Sequence, residues 1–441
     1  MKWIMTTPDA PWQTGTITEN PSCSDRLTLT GKEEQTFEGF GGCFNELGWI
    51  ALQTLEPEKQ AEVLDALFSQ EKGIGFTWGR IPIGASDYAA SWYSLNEEQD
   101  DYQMEHFSIS RDEQYLLPYI HAAQQIQPEM RFFASPWSPP TWMKEPPVYN
   151  YGRLKMEPQV LDSYCLYFEK FLKAYEEQSV KVERLHLQNE PFADQKFPSC
   201  CWSSEQFRVF IRDYIGPRFE RDGVDTEIWL GTLNGPTEMD FGFGGIRLDS
   251  YDRYLDNILF DEEARKYLAG VGYQWNGQRV IHKTRKSFPE LKLMQTENEC
   301  GDGQNSWEYA RYVFDLVRHY LENGVTAYCY WNMVLKPGGA STWGWRQNTL
   351  ITIDPDKGDY LFNPEYYVMR HYAAVIQPGA VILEGSGHWS SSAIAARNPD
   401  GSVAVLVQNA LDRERTFTFE GEGRCFTVSL APRSMHSFLL P

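Results

Sequence analysis

Two glutamates, Glu190 and Glu297, carry the side chains that acid–base and nucleophilic chemistry would use, and each follows a short run with strand character. Before Glu190 the run Val182-Glu-Arg-Leu-His-Leu alternates apolar and polar residues, and Pro191 then stops regular structure. Glu190 is therefore expected at the carboxyl end of a strand, with Asn189 beside it to bond a hydroxyl. A lone carboxylate in that place is usually a solvated charge or a helix cap, and Asn-Glu-Pro by itself is a weak signal. Two such carboxyls together suit one reaction. One protonates the leaving oxygen of a glycosidic bond while the other stabilises or attacks the sugar's oxocarbenium-like carbon. The proton donor then needs a pKa raised by burial and by its charged partner. In Gln295-Thr-Glu-Asn-Glu-Cys, Glu297 and Glu299 share one face at period two, so alternation does not choose between them; Glu297 lies nearer the apolar strand.

Positioning these groups requires a frame. From residue 36 onward short apolar runs alternate with helix-length segments, which is the signature of strand–helix units around a parallel sheet. Strands are expected over 36–41, 76–83, 131–135, 182–188, 227–232, 270–274, 292–296 and 325–331. Eight is the number that closes a barrel. Helices are expected over 57–69, 111–125, 158–177, 204–221, 252–267 and 307–323. In the third, Leu161, Cys165, Phe168, Phe171 and Leu172 form one apolar stripe. Residues 1–34, with strand-like stretches at 14–18 and 27–30, are expected to join a β-domain formed by 376–441, leaving 35–375 as the barrel. The last segment alternates at period two between Asn-Pro-Asp-Gly and Glu-Gly-Glu-Gly turns, as an antiparallel sheet does.

In such a barrel the site is built at the carboxyl ends of the strands. Those ends carry Arg80 and Asp87, Trp137 and Trp142, Asn189 and Glu190, Trp275 and Asn276, Glu297, and Trp331 with Asn332. Strands four and seven face each other, and carboxyls from their ends approach to about 5 Å, the separation of a retaining double displacement.

Composition narrows the partners. A formal net charge of -21 repels phosphate backbones and anionic membranes, so neither nucleic acid nor a membrane is expected. The 15 tryptophans exceed what packing alone usually needs; most fill core volume and some suit the C–H faces of a sugar. The eight cysteines form no CxxC pair and no zinc-spaced cluster, so no metal is expected, and Cys200 and Cys201 are expected as free thiols. Lone histidines such as His186 and His388 are expected to be core or rim residues, and Cys300 to be inert. The start of the chain has no apolar run of signal-peptide length, which leads to the expectation of a cytoplasmic protein.

Six motifs in order, Phe37-Glu-Gly-Phe-Gly-Gly, Arg80-Ile-Pro-Ile-Gly-Ala-Ser-Asp-Tyr, Ala134-Ser-Pro-Trp-Ser-Pro-Pro-Thr-Trp-Met-Lys, Gln188-Asn-Glu-Pro, Thr296-Glu and Tyr330-Trp-Asn, resemble those of glycoside hydrolase family 30, the glucosylceramidase family, over nearly the whole chain. The resemblance implies a (β/α)8 TIM barrel with a β-sandwich domain built from both termini, and no cofactor. It implies Glu190 as acid/base and Glu297, rather than Glu299, as nucleophile. It further implies that Arg80, Asp87, Trp137, Asn189, Trp331 and Asn348 surround the cleaved sugar, with Asp87 and Trp137 on its non-reducing side. Trp275 and Asn276 belong to the same set. Where glucosylceramidase-like members read His-Trp-Tyr, this chain reads Gln274-Trp275-Asn276, so the tyrosine that supports the nucleophile is replaced by Asn276.

The leading expectation is a retaining β-glycosidase acting from the chain end on β-D-glucosides or short β-gluco-oligosaccharides. Alternatives within the family are an endo-β-1,6-glucanase or galactanase and a β-xylosidase or β-fucosidase. The alternative of another class is a carbohydrate-binding barrel without catalysis, against which the two facing, mutually repelling carboxylates argue.

Overall fold

The computed structural model describes residues 2–15, 25–234 and 251–441, with the side chains of 251–253 excepted. Eight parallel strands close into a barrel: β1 (Gly39–Cys43), β2 (Trp78–Ile83), β3 (Arg131–Pro136), β4 (Val182–His186), β5 (Glu227–Leu233), β6 (Leu268–Gln274), β7 (Lys292–Glu297) and β8 (Val325–Asn332), each hydrogen-bonded to the next and β8 to β1. This is the TIM barrel expected from the alternating pattern.

The first strand differs from its expected span. Residues 36 and 37 end a long strand, Arg26–Phe37, of a separate sheet, and the barrel strand starts only at Gly39. Gly39 has φ +135°, and a Cβ there would meet the Thr77 hydroxyl at 2.2 Å. Two extended stretches thus meet at a backbone conformation that glycine alone accommodates here.

Outer helices cover the barrel. Pro158–Glu177 begins with proline at its first turn, where no amide is needed, and buries Leu161, Cys165, Phe168, Phe171 and Leu172 on one face. The helix expected over 204–221 is interrupted: Ser204–Val209 and Gly216–Asp222 flank a wider turn, Phe210–Ile215, and Ser203 opens the first with a reciprocal capping box to Gln206. Inside the barrel floor, buried Arg184 lies 4.3 Å from the ring of Trp78 and 4.7 Å from that of Trp229, and pairs with Glu38. This arrangement fills the barrel's lower end with side chains rather than leaving a pore.

A nine-stranded sheet packs beside the barrel. Its order runs Gln13–Thr14, Lys2–Thr6, Ser434–Leu440, Val403–Asn409, Ala393–Arg397, Ala380–Ser386, Arg26–Phe37, Arg415–Gly421 and Arg424–Leu430. All pairs are antiparallel except Arg26–Phe37 with Arg415–Gly421, which is parallel. The expected strand over 14–18 is described only at Gln13–Thr14; residues 16–18 lie outside the described residues. The helix Pro364–Val375 joins the two parts: His371 on it bonds Ser437 at 2.9 Å and Thr6 at 2.8 Å, one residue from each end of the chain.

Candidate active site

The strand ends bring both glutamates to one cavity of about 270 Å³. Glu190 follows β4, where the Gln188 amide donates to the Gly231 carbonyl at 3.1 Å, that of Asn189 to Pro136 at 2.7 Å, and that of Glu190 to Thr232 at 2.9 Å. Held by β3 and β5 on either side, Glu190 adopts φ +47°, a left-handed conformation that costs a non-glycine residue energy and is often found where function demands a particular aim. Glu297 is the last residue of β7 and is 5% exposed.

The two carboxyls have unlike surroundings. Glu297 Oε2 accepts a very short hydrogen bond from Arg80 Nη1 and a second from Gln274 Nε2 at 3.0 Å. Among the described residues, Glu190 Oε1 has only the amide of Asn234, at 2.8 Å. Burial, and then the charge of Glu297, push Glu190 up to about 8. Burial also raises Glu297, but the Arg80 guanidinium opposes it. Glu190 is thus held towards its protonated form, while Arg80 favours the ionised form at Glu297, the division of labour that acid–nucleophile chemistry requires.

Arg80 is fully buried and lies beneath the cavity rather than lining it. Its Nε and Nη2 donate to Ser135 Oγ at 3.2 and 3.0 Å, and Nη2 to Asn189 Oδ1 at 2.7 Å. Gln274 Nε2 reaches the same Asn189 oxygen at 2.7 Å and Thr232 Oγ1 at 3.0 Å. One buried network thus joins the ends of β2, β3, β4, β5, β6 and β7. Trp137 stacks on Trp331 with ring centres 5.4 Å apart, and the Arg80 guanidinium sits 4.5 Å from the Trp137 ring.

Of the expected residues, Asp87, Trp137, Asn189, Glu190, Trp275 and Glu297 line the cavity. Arg80 and Trp331 support it from behind. Asp87 is 5% exposed, and its Oδ1 is buried with no partner among the described residues; burial, then the charges of Glu297 and Glu190, raise it well above the usual carboxylate range.

Asn348 and Asn276 stand elsewhere than expected. Asn348 turns away from the cavity: its Nδ2 donates to buried Glu365 at 2.6 Å, and its Oδ1 accepts from the Gly303 and Asn305 amides at 2.9 and 3.1 Å. It braces the loop after β7. Asn276 does not line the cavity, and its backbone amide donates to Asn234 Oδ1 at 3.3 Å, on the Glu190 side. Gln274, two residues earlier, supports Glu297.

Sequence reasoning did not select Gln274, Asn234, Thr232 or Ser135 as site residues, nor the cavity-lining Phe192, Phe197, Trp345 and Gln347. Glu299 and Cys300 also line the cavity, the Cys300 thiol 3.7 Å from Glu297 Oε1. His186 is buried in the barrel interior between Phe133 and Trp229. Cys200 and Cys201 are free thiols.

Residues 37–376 match the glycosyl hydrolase family 30 TIM-barrel domain, and residues 381–438 match the family 30 beta sandwich domain. The chain is 26% identical over 447 residues to the lysosomal acid glucosylceramidase of Mus musculus, covering 94% of this chain and 83% of that protein. It is 25% identical over 460 residues to an endo-1,6-beta-D-glucanase of Aspergillus fumigatus, covering 96% and 89%. Among solved structures, SrfJ from Salmonella typhimurium superposes with a TM-score of 0.87 at 24% identity, over 100% of this chain and 99% of that one. Barrel, sheet and family match agree along the whole length: the chain belongs to glycosyl hydrolase family 30, a family of retaining glycoside hydrolases.

Proposed function

We propose that this chain is an exo-acting retaining β-glycosidase with a preference for β-D-glucosides, in which Glu190 is the acid/base and Glu297 the nucleophile. The observation that carries the assignment of roles is the unequal support of the two carboxyls among the described residues: Arg80 and Gln274 on Glu297, a single amide on Glu190. Glu190 gives its proton to the glycosidic oxygen as Glu297 Oε attacks the anomeric carbon, the C–O bond to the leaving group breaks, and a glycosyl ester forms on Glu297. Glu190, now a carboxylate, takes a proton from water, whose oxygen attacks the same carbon and releases the sugar with its β configuration.

Exo action is supported by how one side of the cavity is walled. The loop after β4 meets the loop after β8 where Phe197 packs on Trp343, ring centres 5.5 Å apart. The loop after β8 is also fastened to the loop after β2: the Thr342 amide donates to the Asp87 carbonyl at 3.3 Å, and the Tyr88 hydroxyl to the Gly339 carbonyl at 2.7 Å. A sugar whose far hydroxyls reach Asp87 has protein behind it there. The glucoside preference rests on Asp87 and Trp137 lying together at that end, and on the name of the murine relative. The fungal relative's name favours a second reading, β-1,6-glucan cleavage, which the same fold can carry.

A panel of p-nitrophenyl β-glycosides of glucose, xylose, fucose, galactose and glucuronate, with the first-formed anomer followed by NMR, tests the reading. Fastest turnover of the glucoside with β-glucose as first product supports it. A preference for another glycone overturns the sugar assignment, and an α anomer as first product overturns the double displacement.

A further inference from the structure

Of the fifteen tryptophans, Trp345 is the one left exposed, at 44%, and it stands on the wall of the catalytic cavity. Its exposure is built. The Ser341 amide donates to the Trp345 carbonyl at 2.7 Å, and the Trp345 amide to Ser341 Oγ at 3.1 Å, closing a tight turn. The indole packs edge-on against Trp343, ring centres 5.1 Å apart and planes at 85°, and Trp343 is in turn held by Phe197. A large apolar surface kept in water on a braced loop marks a binding face rather than a packing remnant.

Polar groups share the cavity wall with this ring. Glu299 lines the same cavity with Oε1 tied to the Gly301 amide at 3.0 Å and Oε2 buried without a partner among the described residues. Gln347 and Gln195 add amide groups to the lining, which also includes the apolar Phe192, Ala193 and Phe197. An aromatic face next to carboxylate and amide groups meets a pyranose, which offers a C–H face and equatorial hydroxyls; an alkyl chain would leave the Glu299 oxygen unsatisfied. Asp87 and Trp137 are buried at 5% and 1%, so the cleaved sugar occupies the deep end and only the leaving group reaches an exposed rim.

We infer that Trp345, with Glu299, forms the leaving-group subsite and that its occupant is a second sugar ring, so that the substrates are di- and oligosaccharides rather than glycolipids. This inference rests on the glycosidase reading above and names the class of leaving group that reading left open.

The test compares kcat/KM for β-linked glucose disaccharides with that for β-glucosyl fluoride, whose leaving group is too small to reach Trp345. In Trp345→Ala the disaccharide-to-fluoride ratio is expected to fall by at least about tenfold, mostly through KM, with Trp345→Phe recovering most of the loss. Octyl β-glucoside serves as the apolar arm. An unchanged ratio overturns the subsite, as does an octyl glucoside loss equal to that of the disaccharides. Xylosyl and galactosyl fluorides with their matching disaccharides keep the ratio measurable if the glycone assignment is wrong. If no glycosyl fluoride is turned over, the hydrolase roles fail on their own. The subsite is then read by calorimetry, where wild type must bind a disaccharide at least about tenfold more tightly than Trp345→Ala does.

Discussion

Gln274 Nε2 donates to Glu297 Oε2 at 3.0 Å, so a neutral amide on β6 joins Arg80 in favouring the ionised form of a buried carboxyl. Hydrogen bonds to the ionised form favour it against burial. Gln274→Met keeps the volume and removes the donor. The acid limb of kcat/KM is expected to move up by about one pH unit, with kcat down roughly tenfold. A pH–rate profile of the variant checks both.

Glu190, raised to about 8 by burial and by Glu297, must be protonated to act as acid. The alkaline limb of kcat/KM is therefore expected near pH 8. The Asn234 amide favours the ionised form, so Asn234→Ala should move that limb further up. A limb that moves down in this variant would contradict the assignment.

The same shift has a stability consequence with a definite sign. A carboxyl whose folded pKa lies above its unfolded value makes its full contribution below about pH 4.5, and that contribution is lost as pH rises through about 8. Glu190→Gln should thus melt higher than wild type at pH 8 to 9 and match it near pH 4. Calorimetric Tm values across that range provide the check.

Nucleophile identity is tested chemically. Glu297→Ala should lose turnover by at least about 10⁴-fold, with azide restoring activity and giving the α-glycosyl azide, whereas Glu299→Ala should keep substantial activity on β-glucosyl fluoride. A 2-deoxy-2-fluoro glycoside should label the peptide carrying Thr296-Glu297. A label on Glu299 would reverse the two.

Asn348, expected at the sugar and found bracing the loop after β7, gives a prediction of a different kind. Asn348→Ala strands the Gly303 and Asn305 amides and the buried Glu365 oxygen, and should cost about 2–4 kcal/mol in urea unfolding. Its effect on kcat/KM should be similar for every glycone, as a braced loop requires and a sugar contact does not.

The barrel strands were legible because each apolar run is short and bounded, and the helix Pro158–Glu177 because its stripe is unbroken. The boundary at Gly39 was not, since two strands of different sheets follow one another with one residue between them. At the site, Glu190 and Glu297 announce themselves by chemistry and position. Gln274 and Asn234 do not, because a buried amide acquires meaning only from the carboxylate it meets, 23 residues downstream for one and 44 upstream for the other. Asn276 was misplaced for the same reason: alignment of Gln-Trp-Asn against a motif fixes order along the chain, not which of three successive side chains turns inward.

The pairing of Lys2–Thr6 with Ser434–Leu440 also governs assembly in time. On the ribosome, the first strand emerges long before its partner exists, and more than 400 residues intervene before that edge can be covered. The strand on the partner's other side, Val403–Asn409, waits for the same segment. Because Ser434–Leu440 lies between those two strands, the sheet can be completed only after the barrel has all its residues, as a cask needs its closing stave.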